Sequence, residues 1–433
     1  MLPLVPLFKK ILWSEKKRTS HNARFFEPYP FYSIRARGKY IWDIDQNRYV
    51  DYWMGHTSLI LGHSPNVVTK ELRKQIGNGL LLGTANKYAV ELSELVNACV
   101  PSAELVRFCT TGAEATMYAV RLARARTRRK DIIKIAGGWH GYSSALTVGV
   151  SYPYNKPESA GLLETDESHV RLARFNDIAN IRKVMSIDRK QVAAVIVEPV
   201  LGAGGVIPAD RDYLRTLREE CDRVGALLIF DEIITGFRLA LGGAQEYYRV
   251  KPDICTLGKI LGGGLPSSCI AGSRETMSLA DTTVKRTKEE RCWIGGGTFS
   301  EHALAMLSGI ATIKFLRERK GSIYSDLDKR GKLIRSNVDK AFSENGIHTE
   351  TTGICSLFST HFLRSQNLMK SPEDVRTSKR NLEYWYYFSL IADHSIFFLP
   401  GHIGALSTEH TEKDIEHFVK STESVAKKLR AIK

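Results

Sequence analysis

The chain has 433 residues, 43% of them hydrophobic and 25% charged, a composition suited to a soluble globular protein with a large core and two or more domains. No apolar run is long enough to span a membrane, and the seven cysteines form no CxxC pair. Together these exclude a membrane-spanning helix, a disulfide framework and a zinc ribbon, and they point to reduced thiols in a cytoplasmic protein.

The formal net charge of +15 reads either as a solvated basic surface or as the footprint of a polyanion partner. The densest basic run is RLARARTRRKDIIK, from Arg121 to Lys134. No zinc-finger or RNA-recognition pattern accompanies it, so no nucleic acid is expected. Anionic small substrates would benefit from the same field.

The opening MLPLVPLFKKILW is apolar with lysines, but prolines interrupt it and no small-residue cleavage site follows. It reads as a packing arm rather than a signal peptide. Short strands are expected at Ile34–Arg37, Tyr40–Asp43 and from Tyr49, around a turn at Asp45–Arg48. A glycine-punctuated loop, GHTSLILGHSP, then leads to a helix with Ser64 as N-cap that carries Val67, Val68, Leu72 and Ile76 inward. After a helix over 87–98, the strand Leu105–Cys109 runs into TTGAE and a further helix. That turn is an ordinary capped helix start or, equally, a phosphate cradle of unpaired N–H groups.

The strand Asp131–Ala136 ends at Gly137-Gly-Trp-His-Gly-Tyr142. An aromatic and a histidine there suit a flat ligand, though Trp139 is also a candidate core residue. Residues 143–170 read as a long loop. Buried-strand runs follow at 191–197, ending in Glu198-Pro199, and at Ala226–Phe230, with the helix Arg211–Val224 between them. This alternation predicts an α/β fold with a mostly parallel central sheet flanked by helices. Domain boundaries are expected at 1–75 (an N-terminal segment packing with the small domain), 76–322 (large) and 323–433 (small, α+β). The last helix starts from Thr411, whose hydroxyl and Asp414 fit a capping box.

Two residues organise the chemistry. The strand Ala226–Phe230 delivers Asp231 at its C-terminal end, and the run Asp253–Leu257 delivers Lys259, followed by three glycines. Ligands of open α/β sheets sit outside the carboxyl ends of the strands. A surface salt bridge beside a glycine turn is the bland reading of the same pair. The glycines are expected to let backbone approach a ligand closely.

FDEIITGFR at 230–238 and TLGKILGGGLP at 256–266, with TTGAEA, GGWHGY, VEP and GGGTFSEHALAM in order, resemble the class III aminotransferases of fold-type I. Within them the chain is similar to the glutamate-1-semialdehyde aminomutase branch. The resemblance implies pyridoxal 5′-phosphate as cofactor and a homodimer with shared active sites. Lys259 would hold the cofactor as a Schiff base and move the proton, since a lysine amine of lowered pKa is both nucleophile and base. Asp231 would pair with the pyridine nitrogen and keep the ring an electron sink. Gly112 and Ala113 would offer N–H groups to the phosphate, and Thr298 would reach it from the second subunit. Trp139 and Ile233 would cover the two ring faces, with Glu198 supporting the site. Arg24 would hold a substrate carboxylate, or is an ordinary surface arginine. Arg238 reads as structural.

Four departures from the branch stand out, the last two of which bear on substrate handling. Ala113 lacks a hydroxyl that the family commonly has, Ala203 stands where the branch has asparagine, and GHIGALSTEHT after Pro400 lacks a glutamate-bearing segment. GYSSALTVGVSYPYNKPESAGL replaces the branch's gating loop. The expectation is therefore amino-group transfer between small-molecule amino and carbonyl substrates, with aminomutase chemistry as the alternative. A silent cofactor carrier or a basic polyanion binder is the non-enzyme alternative. GKILGGG lacks the GxGxxG spacing of a nicotinamide site.

Overall fold

The computed structural model describes residues 21, 24–26, 30–364 and 368–432. The opening apolar arm lies outside them. Alternating buried runs and amphipathic helices build a seven-stranded sheet. Its strands are β4 (Leu105–Cys109), β5 (Asp131–Ile135), β6 (Val170–Ala173), β7 (Val192–Val197), β8 (Leu227–Glu232), β9 (Ile254–Leu257) and β10 (Ser268–Gly272), in the order β4-β10-β9-β8-β7-β5-β6. Only β10 runs against its neighbours. Every residue of β5 and β7 is buried, as expected of strands covered on both faces by crossover helices.

Two of these strands, β6 and β10, are absent from the sequence reading. β6 follows a loop without periodic apolar positions, and β10 (SCIAG) is made of small residues. A second sheet joins the chain's two ends. There β1 (Ser33–Arg37), β2 (Tyr40–Asp43) and β3 (Arg48–Asp51) form a meander, and β13 (Ile396–Phe397) adds in parallel to β3. A third sheet, from β11 (Thr349–Thr352), β12 (Leu357–Phe362) and β14 (Gly404–Ala405), completes the C-terminal part. Half of the expected capping box at Thr411 is present: Asp414 Oδ2 accepts from both its N–H and its hydroxyl, while Asp414 N donates to Thr411 O rather than to the hydroxyl.

The helix after the glycine loop, α1 (Asn66–Ile76), is capped by Pro65 rather than Ser64, which adopts φ 51°. Val68 is buried as expected, whereas Val67 and Ile76 are exposed. Proline's fixed φ suits a helix start, and this one begins a residue later than the hydroxyl suggested. The basic run at 121–128 is partly spent on its own helix. Arg124 Nε donates to Lys130 O at 2.8 Å, Arg121 Nη1 to Trp293 O at 3.0 Å, and Arg128 turns left-handed to end the helix.

Candidate active site

Asp231 closes β8 opposite Thr256 on β9, so the two side chains meet where the strands end. Three donors converge on the carboxylate. Thr256 Oγ1 and Ile233 N donate to Oδ1 at 3.0 and 3.1 Å, and His140 Nδ1 lies 2.7 Å from Oδ2. His140 is fully buried, and burial lowers its pKa despite that carboxylate. A neutral imidazole with its proton on Nδ1 fits this contact.

Lys259 follows β9 in a left-handed conformation, φ 48°, at the start of a short 3-10 turn, Lys259–Gly262. Its Nζ donates to His56 O at 2.9 Å. Met54, Gly55, His56 and Thr57 all have positive φ, between 47° and 67°. Such a run is costly for residues with a Cβ and persists only where neighbours hold it, as at functional sites. One of those neighbours is Arg238, whose Nη2 donates to Thr57 O at 2.6 Å. Burial lowers the Lys259 pKa to about 8, with Glu198 and Asp231 opposing that fall and Arg238 adding to it. Glu198 is buried behind the strand ends, where it accepts from Trp139 N at 2.8 Å and Gly202 N at 3.0 Å. Burial and the nearby Asp231 raise its pKa.

At the other end of the site, Thr111 and Glu114 form a reciprocal capping box on the helix Gly112–Thr127. Glu114 accepts from Thr110 N and Thr111 N, and Thr111 Oγ1 accepts from Glu114 N. The N–H groups of Gly112 and Ala113 are thereby left without an internal partner among the described residues, at the positive end of a 16-residue helix. A Cβ at Gly112 would press on Ile233 Cδ1 at 3.2 Å, so glycine keeps that floor open. Gly112, Ile233 and Lys259 line one cavity of about 390 Å³, with Ser58, Leu59, Thr110 and Thr111.

The nine residues singled out from the sequence are thus distributed unevenly. Asp231, Glu198, Ile233, Gly112, Ala113 and Lys259 gather around the strand ends. Trp139 is half exposed rather than core, its N–H fixed by Glu198. Thr298 lies in an exposed loop and does not line this chain's cavity. Arg24 is exposed, yet its charge acts on His56 beside Lys259. The glycines after Lys259 divide in role. Gly263 packs where a Cβ would strike Ser308 and Thr312 at 2.5 Å, and only Gly264 lines the cavity.

The histidine read from the sequence as suited to a flat ligand, His140, is bonded to Asp231. Other residues of the site carried no assignment from the sequence. Thr256 sits inside a quoted motif, and its strand-end position was the available signal. Lys134 carried no signal, being one lysine of a basic run. It is fully buried and donates to Gly138 O at 2.8 Å, pinning the turn that carries Trp139 and His140.

An acceptor at the end of β8, a lysine one strand over and a vacant pair of helix N–H groups suit a flat, protonated heterocycle bearing a phosphate. Comparison with known proteins agrees. The family described as "Aminotransferase class-III" matches residues 23–367. The chain belongs to the class III aminotransferases. A curated relative, the glutamate-1-semialdehyde 2,1-aminomutase of Hyperthermus butylicus, is 37% identical over 409 residues, covering 93% of each chain.

Among solved structures, an omega-transaminase from Sphaerobacter thermophilus superposes with a TM-score of 0.87 at 29% identity, covering 94% of this chain and 93% of the other. A transaminase with PLP bound gives a TM-score of 0.85 at 27% identity, covering 95% and 94%. The fold is therefore fold-type I and the cofactor is pyridoxal 5′-phosphate. Asp231 would hold its ring nitrogen, the Gly112 and Ala113 N–H groups its phosphate, and Lys259 its aldehyde carbon. Among the described residues, no helix is long and apolar enough to cross a membrane.

Proposed function

We propose that this class III aminotransferase moves an amino group from an amino acid or amine to a carbonyl compound, with Lys259 as the covalent anchor and proton carrier. The supporting observation is the placement of the Lys259 amine, lowered to about 8, among Asp231, Glu198 and the Gly112 end of the cavity. The bound cofactor supplies an electron sink for the carbanion left when substrate loses its α-proton. The chain's own residues then have distinct tasks. Asp231 is held by three donors so that its carboxylate meets the ring nitrogen. His140 and Thr256 fix that orientation, and Trp139 and Ile233 cover the ring. Lys259, half neutral near pH 8, can take and return a proton without leaving the site.

The test uses the holoenzyme as purified. It should absorb at the violet edge of the visible range, and borohydride should fix the cofactor on Lys259 by peptide mass. Amino acids and amines, mixed singly, should bleach that absorbance with release of the matching carbonyl product. A colourless protein that cannot be reconstituted, or cofactor fixed elsewhere, sinks the reading.

A second reading is favoured by the relatives named glutamate-1-semialdehyde 2,1-aminomutase. In it one molecule serves as donor and acceptor. Release of 5-aminolevulinate from glutamate-1-semialdehyde, with no carbonyl by-product, would establish it over simple transfer.

The working unit is proposed to be a cytoplasmic homodimer with shared sites. Leu80, Leu81, Leu82, Tyr142, Trp293 and Phe299 are all exposed in one chain, apolar side chains that a second copy would cover. Sedimentation should give twice the chain mass. Thr298→Ala should weaken cofactor retention about tenfold, the worth of one charge-assisted hydrogen bond. A monomer that binds cofactor normally would refute the shared site.

A further inference from the structure

Beside the cavity, next to its Gly55 lining, lies a cluster of nitrogen-bearing side chains that the transfer chemistry leaves unused. His56, whose carbonyl meets Lys259, tilts its ring against Trp53 at 4.1 Å and lies 5.5 Å from the ring of His21. Trp53 in turn meets His402 edge-on at 5.3 Å. Arg24 joins through its own turn, its N–H donating to His21 O at 2.9 Å. His56 Nε2 is buried and has no hydrogen-bond partner among the described residues.

Among the described residues, the charges acting on His56 are of one sign. They come from Lys259, His21, His402 and Arg24, and with burial as the larger cause they lower its pKa to about 3. His21 is lowered by burial and Arg24, and His402 by burial and His21. Among the described residues, no carboxylate is among the groups acting on His56 and His402. Rings kept neutral by a positive surrounding accept protons once an anion arrives, because the anion reverses the local field.

A single carboxylate would be satisfied by the fork of one arginine. Three imidazoles beside that arginine exceed its needs. A phosphoryl group brings three acceptor oxygens and a second pKa of about 6, close to the ordinary imidazole value of about 6.5. Such a match lets one proton sit between an oxygen and a ring nitrogen.

Building on the amino-transfer reading, we propose that the substrate's far end carries a dianionic phosphate or phosphonate group, seated on Arg24, His21, His56 and His402 while its amine faces Lys259. His56 and His402 are then specificity determinants.

Holoenzyme is mixed with 3-aminopropylphosphonate, 4-aminobutyrate or propylamine, and the bleaching of its violet absorbance is followed. The phosphonate should exceed the carboxylate in kcat/KM by about 10- to 100-fold, the range expected of one or more charge-assisted hydrogen bonds. His56→Phe and His402→Phe should each erase most of that advantage through KM. Calorimetry with methyl phosphate at pH 7, where it is already about nine-tenths dianionic, in buffers of different ionisation heat, should show proton uptake. His56→Gln, which keeps a hydrogen-bonding side chain but cannot be protonated, should reduce it.

Equal rates for phosphonate and carboxylate, or methyl phosphate binding without proton uptake, overturn the proposal while leaving amino transfer standing. Failure of every amine to bleach a borohydride-fixable holoenzyme removes amino transfer, and this proposal with it.

Discussion

Lys259→Ala is expected to lower amino-group transfer by at least about 10⁴-fold, since one substitution removes both the covalent anchor and the general base. Its fold should persist, because the Lys259 side chain makes one hydrogen bond, to His56 O, and lines the cavity. Far-ultraviolet circular dichroism would confirm that. The wild-type protein carries a companion signature. With the amine lowered to about 8, about one site in ten is unprotonated at pH 7 and about nine in ten at pH 9. An ordinary lysine would offer about one in several thousand at pH 7. Covalent capture of pyridoxal phosphate by apoprotein, scored after borohydride, should therefore rise about tenfold between pH 7 and 9 and then level off. A rate still climbing at pH 10 would show that burial does not tune this amine.

That signature depends on neighbours which the sequence exposed only in part. Asp231 and Lys259 were legible because each ends a short apolar run, and strand ends are where such folds bind ligands. TTGAE was read only as a capped helix start or a phosphate cradle, and the structure shows the reciprocal box of Thr111 and Glu114 beneath both readings. Local pattern does not report which distant loops close over a strand end. The turn at 54–57, left-handed through three residues with a Cβ, follows no propensity rule; tertiary contacts impose it. The histidines beside the cavity lie at positions 21, 56 and 402, and only folding makes them neighbours. β10 was missed for a related reason. Its small side chains give no hydrophobic signal, and its place in the sheet comes from pairing with β4 and β9. Thr298 illustrates a further limit, because the partner expected of it lies on another chain.

Arg238 joins these distant pieces, and Arg238→Ala is expected to destabilise the protein by about 3–5 kcal/mol. The guanidinium is fully buried. It donates to Thr57 O, to Ser356 Oγ at 3.0 Å and to Leu406 O at 3.1 Å, three acceptors from three separate segments. None of these is a carboxylate, so the cation is held by dipoles, and burial lowers its pKa to about 10. Removing it leaves two buried carbonyls without a donor, at about 1–3 kcal/mol each, and opens a void where the fork stood. Arg238→Lys should recover only part of the loss, since an ammonium cannot span three acceptors arranged for a fork. Urea unfolding followed by circular dichroism measures the loss. The capture profile of Lys259 reads a second consequence. Arg238 is a like charge that helps lower the Lys259 amine, so its removal should move the midpoint of that profile above pH 8. A destabilised variant with an unmoved midpoint would show that Arg238 braces the left-handed turn without tuning the amine beside it.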